Sequence, residues 1–360
     1  MTIGICTFHY AHNYGAMLQA FALKTYLEGY GHSVVMVDRR SNDLTPWNPK
    51  PIKGLSFKAI VLYPKYLAKW FLPAYLTKRR RENKFESFKK EYLDNRPYDS
   101  RERLDAIIYG SDQIWSKFEY GFDDVFWGKQ GSNTDIKIAY AASMGIVNIA
   151  DEDENYIKTA LDSFAAVSVR EEDLRKALID RHLVPHDKLA LVIDPTFLIS
   201  ADRWKSISKK RLVKEPYLLF YDFQIDEKTT EIAHHIAEQK QLRLVRITDG
   251  VVSVSKDKDY FATAGPLEFI SLFHYADFVV SSSFHGTAFA IINNKQFYVR
   301  QVWNKERVRS LLDSLGLIDR FINGIDDVNL ADMIDYQAVE EVIMQKRKES
   351  DAFLQKSLLP

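Results

Sequence analysis

Ten short apolar runs punctuate this chain, each leading through a polar loop into a stretch of helical periodicity. In the first half they are Ile3 to Thr7, Ser33 to Asp38, Asp105 to Tyr109, Ile136 to Tyr140, Ala165 to Val169 and Leu189 to Ile193. In the second they are Tyr217 to Tyr221, Leu242 to Ile247, Phe278 to Ser281 and Gln296 to Arg300. Apolar side chains at successive positions mean a strand covered on both faces, which is the condition of a parallel sheet between helices. The alternation predicts an α/β protein built of doubly wound, Rossmann-like lobes. At 360 residues there is enough chain for two of them. The sequence turns polar and basic from Ser200 to Lys214, so the expected lobes are residues 1–205 and 206–328, with helices over 329–360 and a cleft between the lobes.

The opening strand–helix–strand unit lacks a Gly-x-Gly-x-x-Gly fingerprint, so dinucleotide binding has no support. The single cysteine, Cys6, excludes an internal disulfide and fits a reducing, cytoplasmic compartment. Met1 to Cys6 lacks a charged leader and reads as a first strand. Net charge is zero overall, yet Ile52 to Leu93 holds eleven Lys or Arg against three Glu, a local +8. Tyr63, Tyr66, Trp70 and Phe71 are interleaved with Lys65 and Lys69, and Lys78 to Arg81 follow. Pro64, Pro73 and the lysines rule out a membrane-spanning helix. Two accounts of this helical insertion stand. It is an interfacial element on an anionic membrane, at the inner face of the cell membrane, or a core-packing helix with a solvated basic face. No nucleic-acid motif accompanies the charge.

Polar residues gather where α/β proteins bind ligands, directly after the strands. Ser281 to Thr287 follows one such strand and precedes the buried run Ala288 to Ile292. Backbone N–H groups of Gly286, Thr287 and Ala288 would point outward at a helix N-terminus and suit a phosphate or carboxylate. His285 at that mouth can exchange protons near neutral pH. The plain alternative is a Ser-rich turn with a histidine satisfied by its neighbours. No His, Asp or Glu spacing suggests a metal site.

Taken in order, the loops resemble the polysaccharide pyruvyltransferase family. The matching pieces are Thr7-Phe8-His9 through Asn13-Tyr14-Gly15-Ala16 to Gln19, then Gly110 to Trp115, Tyr140 to Ser143, Ser168 to Glu171, Asp194-Pro195-Thr196 and Ser283 to Gly286. The resemblance implies a glycosyltransferase B-like fold and phosphoenolpyruvate as co-substrate, with no other cofactor. The implied product is a pyruvate ketal on a sugar of a cell-surface polysaccharide, such as a capsule or exopolysaccharide, or on its polyprenyl-diphosphate-linked precursor. Members often carry Arg-Leu-His where this chain has Ser283-Phe284-His285, so an arginine is missing.

On this resemblance His285 is the expected general acid and Asp112 the base or hydroxyl orienter, with a helix N-cap as the plain role for Asp112. Arg170, with Ser283, Phe284, Gly286 and Thr287, is expected to bind the donor, Arg170 as a bidentate fork. Its plain alternative is a surface arginine paired with Glu171 or Glu172. His9, Asn13, Gln19 and Trp115 are expected on the acceptor, against core packing for Gln19 and Trp115. Lys295, Arg300, Arg39 and Arg40 are candidates to replace the missing arginine. Two rivals remain: a nucleotide-sugar glycosyltransferase on the same architecture, and a non-catalytic relative that binds glycan or assembles with other enzymes.

Overall fold

The structure, a computed structural model, describes residues 1–37, 72–94, 102–120, 122–129, 134, 136–224, 226–248 and 259–359. Six strands form the first sheet: β1 (Thr2–Cys6), β2 (Ser33–Met36), β3 (Ala106–Tyr109), β4 (Lys137–Ala142), β5 (Ala166–Val169) and β6 (Leu189–Leu191). Their spatial order is β2-β1-β3-β4-β5-β6, and every pairing is parallel. A second sheet holds β7 (Tyr217–Tyr221), β8 (Arg243–Ile247), β9 (Phe278–Ser281) and β10 (Gln296–Val299), again all parallel, in the order β10-β9-β7-β8. The carboxyl ends of the two sheets meet at one cleft. The lobes are therefore the Rossmann-like pair that the apolar runs predict.

Helices cover the sheets. α1 (Tyr14–Gly29) is apolar on nearly all sides and buried from Tyr14 to Lys24, because the first sheet lies on one side of it and the second lobe on the other. Asn13 caps it, its Oδ1 accepting from Ala16 N at 2.9 Å. Next come α2 (Leu72–Phe88), the one-turn α3 (Lys117–Tyr120), α4 (Asp151–Asp162), α5 (Glu172–Asp180) and α6 (Ala201–Ile207). The second lobe adds α7 (Glu227–Gln239), α8 (Pro266–Tyr275), α9 (Phe284–Ile292) and α10 (Lys305–Ser314), and the chain ends in α11 (Tyr336–Leu358).

The core does not stop at the lobe boundary. Met17, Leu18 and Phe21 of α1 share one continuous apolar cluster with Trp204, Phe269, Phe273 and Phe289. Tyr14 stacks on Phe269 with centroids 4.6 Å apart, and Trp204 meets both Phe21 and Phe289.

Residues 38–71 lie outside the described residues: Arg39 and Arg40, and from the basic insertion Tyr63, Lys65, Tyr66, Lys69, Trp70 and Phe71. The part that is described packs inward. Phe85, Phe88 and Leu93 are in the core, and Lys84 pairs with Glu268 at 2.9 Å. Arg81 is buried too, its guanidinium 5.1 Å from the ring centre of Tyr14 and 5.0 Å from that of Phe85. Arg81 therefore does not face a lipid surface, whereas Arg79 and Arg80 are exposed. Among the described residues no helix is long and apolar enough to cross a membrane.

α11 leaves the second lobe and runs back across the first. Ser350 Oγ accepts from the backbone N–H of Ile193 at 3.0 Å, and Arg347 Nε donates to Phe197 O at 2.8 Å. Ile193 immediately precedes Asp194, so this helix fixes the backbone beside a carboxylate that pairs with Arg170. Ser350 is fully buried, and Ser350→Ala strands the Ile193 N–H without a partner. Urea unfolding should show a loss of about 1–3 kcal/mol, with the m-value unchanged.

Candidate active site

The floor of the cleft is built by backbone devices that leave side chains at defined points. Gly110 has φ +115, and a Cβ there would sit 2.3 Å from Tyr140 O, so glycine alone lets β3 turn this close to β4. Asp112 follows in the left-handed region at φ 74, a conformation that aspartate tolerates better than most residues. Its carbonyl accepts from Ser143 N at 3.1 Å. β4 itself is irregular, with Ala141 at φ 51 and a register shift against β5 between Ala139 and Ala142. Ser168 repairs the break: its Oγ donates to Ala139 O at 2.9 Å and accepts from Ala141 N at 3.2 Å.

Two expected acceptor residues belong to this scaffold. Gln19 is fully buried; its Nε2 donates to Thr7 Oγ1 and Ala16 O, both at 2.9 Å, and its Oε1 accepts from Ser111 N at 3.2 Å. Trp115 is fully buried as well, stacked 4.8 Å from Trp127 with its Nε1 donating to Phe126 O. Both side chains are enclosed, and their polar groups are committed to the protein. His9 is also enclosed, its Nδ1 3.1 Å from Thr7 O. Asn13 does line the cleft, while its side chain caps α1.

Arg170 is the centre of a buried ion cluster. Its Nε donates to Glu171 Oε1 at 2.7 Å, its Nη1 to Asp194 Oδ2 at 2.6 Å and Ser111 Oγ at 3.2 Å, and its Nη2 to Asp112 Oδ1 at 3.3 Å. Three carboxylates thus hold one guanidinium whose side chain is 1% exposed. Burial would strip its proton, but Glu171, Asp194 and Asp112 hold its pKa above the ordinary value. Burial likewise opposes the ionisation of Asp112 and Asp194, and Arg170 foremost keeps both below the usual carboxylate range. Arg170 is therefore not a free fork for a ligand. It lines a different hollow, beside Glu172 and Lys346, while the ring of Phe284 lies 4.5 Å from its guanidinium carbon.

The cation that faces the cleft is Arg307 of α10, which sequence reasoning missed. It lies 3.4 Å from both Asp112 Oδ1 and Glu171 Oε1 and packs on Phe284 at 5.0 Å. It occupies the place expected of a replacement for the absent arginine. Lys295 lies at the far end of α9, and Arg300 pairs with Asp226 and donates to Asn323 O at 3.0 Å. The sequence around Arg307 offers only an amphipathic surface-like helix, with no signal to separate it from Arg309.

α9 begins at Phe284, three residues earlier than Thr287, so the uncommitted first-turn N–H groups are those of Phe284, His285 and Gly286. Thr287 is inside the helix: its N–H and hydroxyl both donate to Ser283 O, at 3.0 and 2.9 Å. Gly286 packs inward on Ser281 and Tyr221. Ser283 and Phe284 do line the cleft, with His285. The His285 ring crosses to the first lobe and rests on Gly15, where a Cβ would come within 2.0 Å of Nδ1. That contact brings the N-termini of α1 and α9 to the same point, and both favour an anion.

His285 Nε2 is buried with no hydrogen-bond partner, 3.9 Å from Asp194 Oδ2. Burial lowers its pKa to about 4, against the opposing pull of Asp194 and Asp112. The imidazole is neutral at pH 7 and cannot serve there as a resident acid. With two arginines, three carboxylates and a neutral histidine, the cluster carries a net −1.

A profile of the polysaccharide pyruvyl transferase family matches residues 13–300. The chain belongs to this family. As a member it is a transferase of polysaccharide biosynthesis, built as two Rossmann-like lobes of parallel strands. No curated protein is significantly similar to it in sequence. Among solved structures, UDP-N-acetylglucosamine 2-epimerase from Rickettsia bellii is similar over 99% of this chain and 94% of its own, with 12% identity and a TM-score of 0.48. The UDP-GlcNAc 2-epimerase from Neisseria meningitidis bound to UDP-GlcNAc is similar over 99% and 94%, with 7% identity and a TM-score of 0.46.

Two measurements check this site. Arg170→Ala leaves three buried carboxylates facing one another and should cost about 3–5 kcal/mol of stability, seen as a lowered urea midpoint. Sulfate, a dianion throughout the neutral range, should raise the His285 pKa when it binds beside it. Protons are then taken up on binding, so affinity is highest below the free pKa of about 4 and falls as pH rises past it, levelling off above the raised pKa. Calorimetry should show a slope of up to about tenfold per pH unit, abolished by His285→Gln.

Proposed function

We propose that the protein transfers the pyruvyl group of phosphoenolpyruvate to two hydroxyls of one sugar in a cell-surface polysaccharide or its lipid-linked precursor, forming a cyclic ketal and releasing phosphate. The observation that carries this reading is the convergence of His285, Arg307 and two helix N-termini on one cleft in a member of this family. The donor phosphate and carboxylate lie against the N-termini of α1 and α9, with Arg307 as the cation beside them. Arg307 is held less closely than Arg170 and can turn toward an anion without exposing a carboxylate to vacuum-like surroundings.

The proton balance suits a neutral imidazole. Two sugar oxygens bond to C2 of the donor, the C2–O bond to phosphate breaks, and the CH₂ carbon becomes CH₃. Of the two hydroxyl protons, one ends on that carbon and the other leaves with phosphate. His285 Nε2 takes the proton of the first hydroxyl and delivers it to the CH₂ carbon, so it starts neutral and returns neutral. Asp112, kept ionised by Arg170 and Arg307, accepts the second and passes it to the departing phosphate. The reaction uses the neutral imidazole that burial makes available and needs no imidazolium in the empty site.

Incubation with phosphoenolpyruvate and candidate saccharides, followed by mass spectrometry, should show a product heavier by one pyruvyl ketal and release of phosphate. Stabilisation against heat by phosphoenolpyruvate, and not by UDP or GDP, separates this reading from nucleotide-sugar transfer. His285→Ala should lower kcat by about 10²–10⁴-fold with little change in donor KM. Unchanged turnover would remove His285 from proton transfer.

A further inference from the structure

Trp303 is 73% exposed, yet it is not on a loose surface. It stands in the short connection between β10 and α10, at the rim of the cleft. One side chain of the same lobe, from the loop after β7, holds its backbone. Gln224 Oε1 accepts from Val302 N at 2.7 Å and Trp303 N at 3.3 Å, and Gln224 Nε2 donates to Trp303 O at 3.0 Å. Asn304, next in sequence, sits at φ 58, and its Nδ2 donates to Gln113 Oε1 of the first lobe at 3.0 Å. The mount is fixed on both sides while the indole is left in water.

Two amide oxygens beside it are incomplete. Gln301 is 93% buried in the cleft wall, and its Oε1 has no hydrogen-bond partner; Asn304 Oδ1 is likewise buried and unpartnered. A buried acceptor left unmade costs on the order of 1–3 kcal/mol, so each calls for a donor from outside. The wall here is lined by neutral amides, in contrast to the ion cluster below it. An exposed apolar ring next to acceptors that lack hydroxyl donors is complementary to one chemistry: a sugar ring, with an apolar C–H face and O–H groups on its edge.

We infer that Trp303, Gln301 and Asn304 form the saccharide-binding subsite of the cleft. The sugar face rests on the Trp303 indole, and its hydroxyls donate to Gln301 Oε1 and Asn304 Oδ1. This rests on the proposed function for the identity of the sugar as acceptor, and it moves that acceptor from the first-lobe residues His9, Gln19 and Trp115 to the second lobe. Trp303 is a specificity residue here and takes no part in proton transfer.

The test separates binding from turnover. An array of immobilised hexose and N-acetylhexosamine oligosaccharides is probed with the wild-type protein, Trp303→Ala and Gln301→Met, without donor. The expected result is retention of the wild type on a subset of glycans and a loss of about tenfold or more for Trp303→Ala. Gln301→Met should fall in the same direction, and the melting temperature of Trp303→Ala should stay unchanged because the indole is exposed. Where turnover is measured, Trp303→Ala should raise the KM for the saccharide by a similar factor and leave kcat and the KM for phosphoenolpyruvate unaltered. Glycan binding lost in Trp303→Ala upholds the subsite even if no pyruvyl transfer is found, which would overturn the proposed function alone. Equal retention of wild type and Trp303→Ala overturns the subsite, as does wild-type protein that holds no glycan. Binding of anionic vesicles, lost in Trp303→Ala while glycan retention is unchanged, overturns it in favour of a lipid surface.

Discussion

The guanidinium of Arg170 is the point on which the cleft depends. Four of its five N–H groups are taken by residues that follow three different strands: Ser111 and Asp112 after β3, Glu171 after β5 and Asp194 after β6. A buried charge of this kind is tolerable only when its geometry is complete, so the strand ends must arrive together. Each partner is itself tied down. Asp194 Oδ1 accepts from both the N–H and the hydroxyl of Thr196, which leaves Oδ2 for Arg170. Phe284 of the other lobe lies against both Arg170 and Arg307, so the second lobe is aligned on the same charge.

This arrangement divides structural from ligand-directed charge. The most fully paired cation of the site is committed to the protein, and in the proposed reaction attraction for the donor falls to backbone dipoles and to Arg307. A fully buried, saturated arginine does not need to reorganise when a ligand arrives, whereas a shared one can change partners. The neutral state of His285 follows from the same balance, since burial outweighs the pull of Asp194 and Asp112.

Much of the fold was legible because strands covered on both faces leave unbroken apolar runs. The family motifs were legible too, but a motif records that a residue is required, not what it touches. Gln19, Ser168 and Asp194 shape loops here, by hydrogen bonds that join residues remote in sequence. Trp115 looked like a sugar platform because an aromatic after a polar loop reads alike whether buried or exposed. Arg307 carried no signal, since its helix looks like any solvated one and only the tertiary fold turns that position inward. His285 was recognisable as a proton carrier, but the sign of its pKa shift comes from burial, which no local pattern shows. The start of α9 was misplaced by three residues because Ser283-Phe284-His285-Gly286 has a loop's composition.

The apolar cluster that runs unbroken from α1 through Trp204 to Phe289 has a consequence for how such a protein can change. Each lobe presents to the other a face that could not stand in water. Neither half is a module to be exchanged with that of a relative, however similar the strand order. A substitution at Tyr14 must be answered at Phe269, and one at Phe21 acts through Trp204 on Phe289, across the boundary. Variation in substrate choice is then confined to the rim loops, where side chains can alter without disturbing this weld.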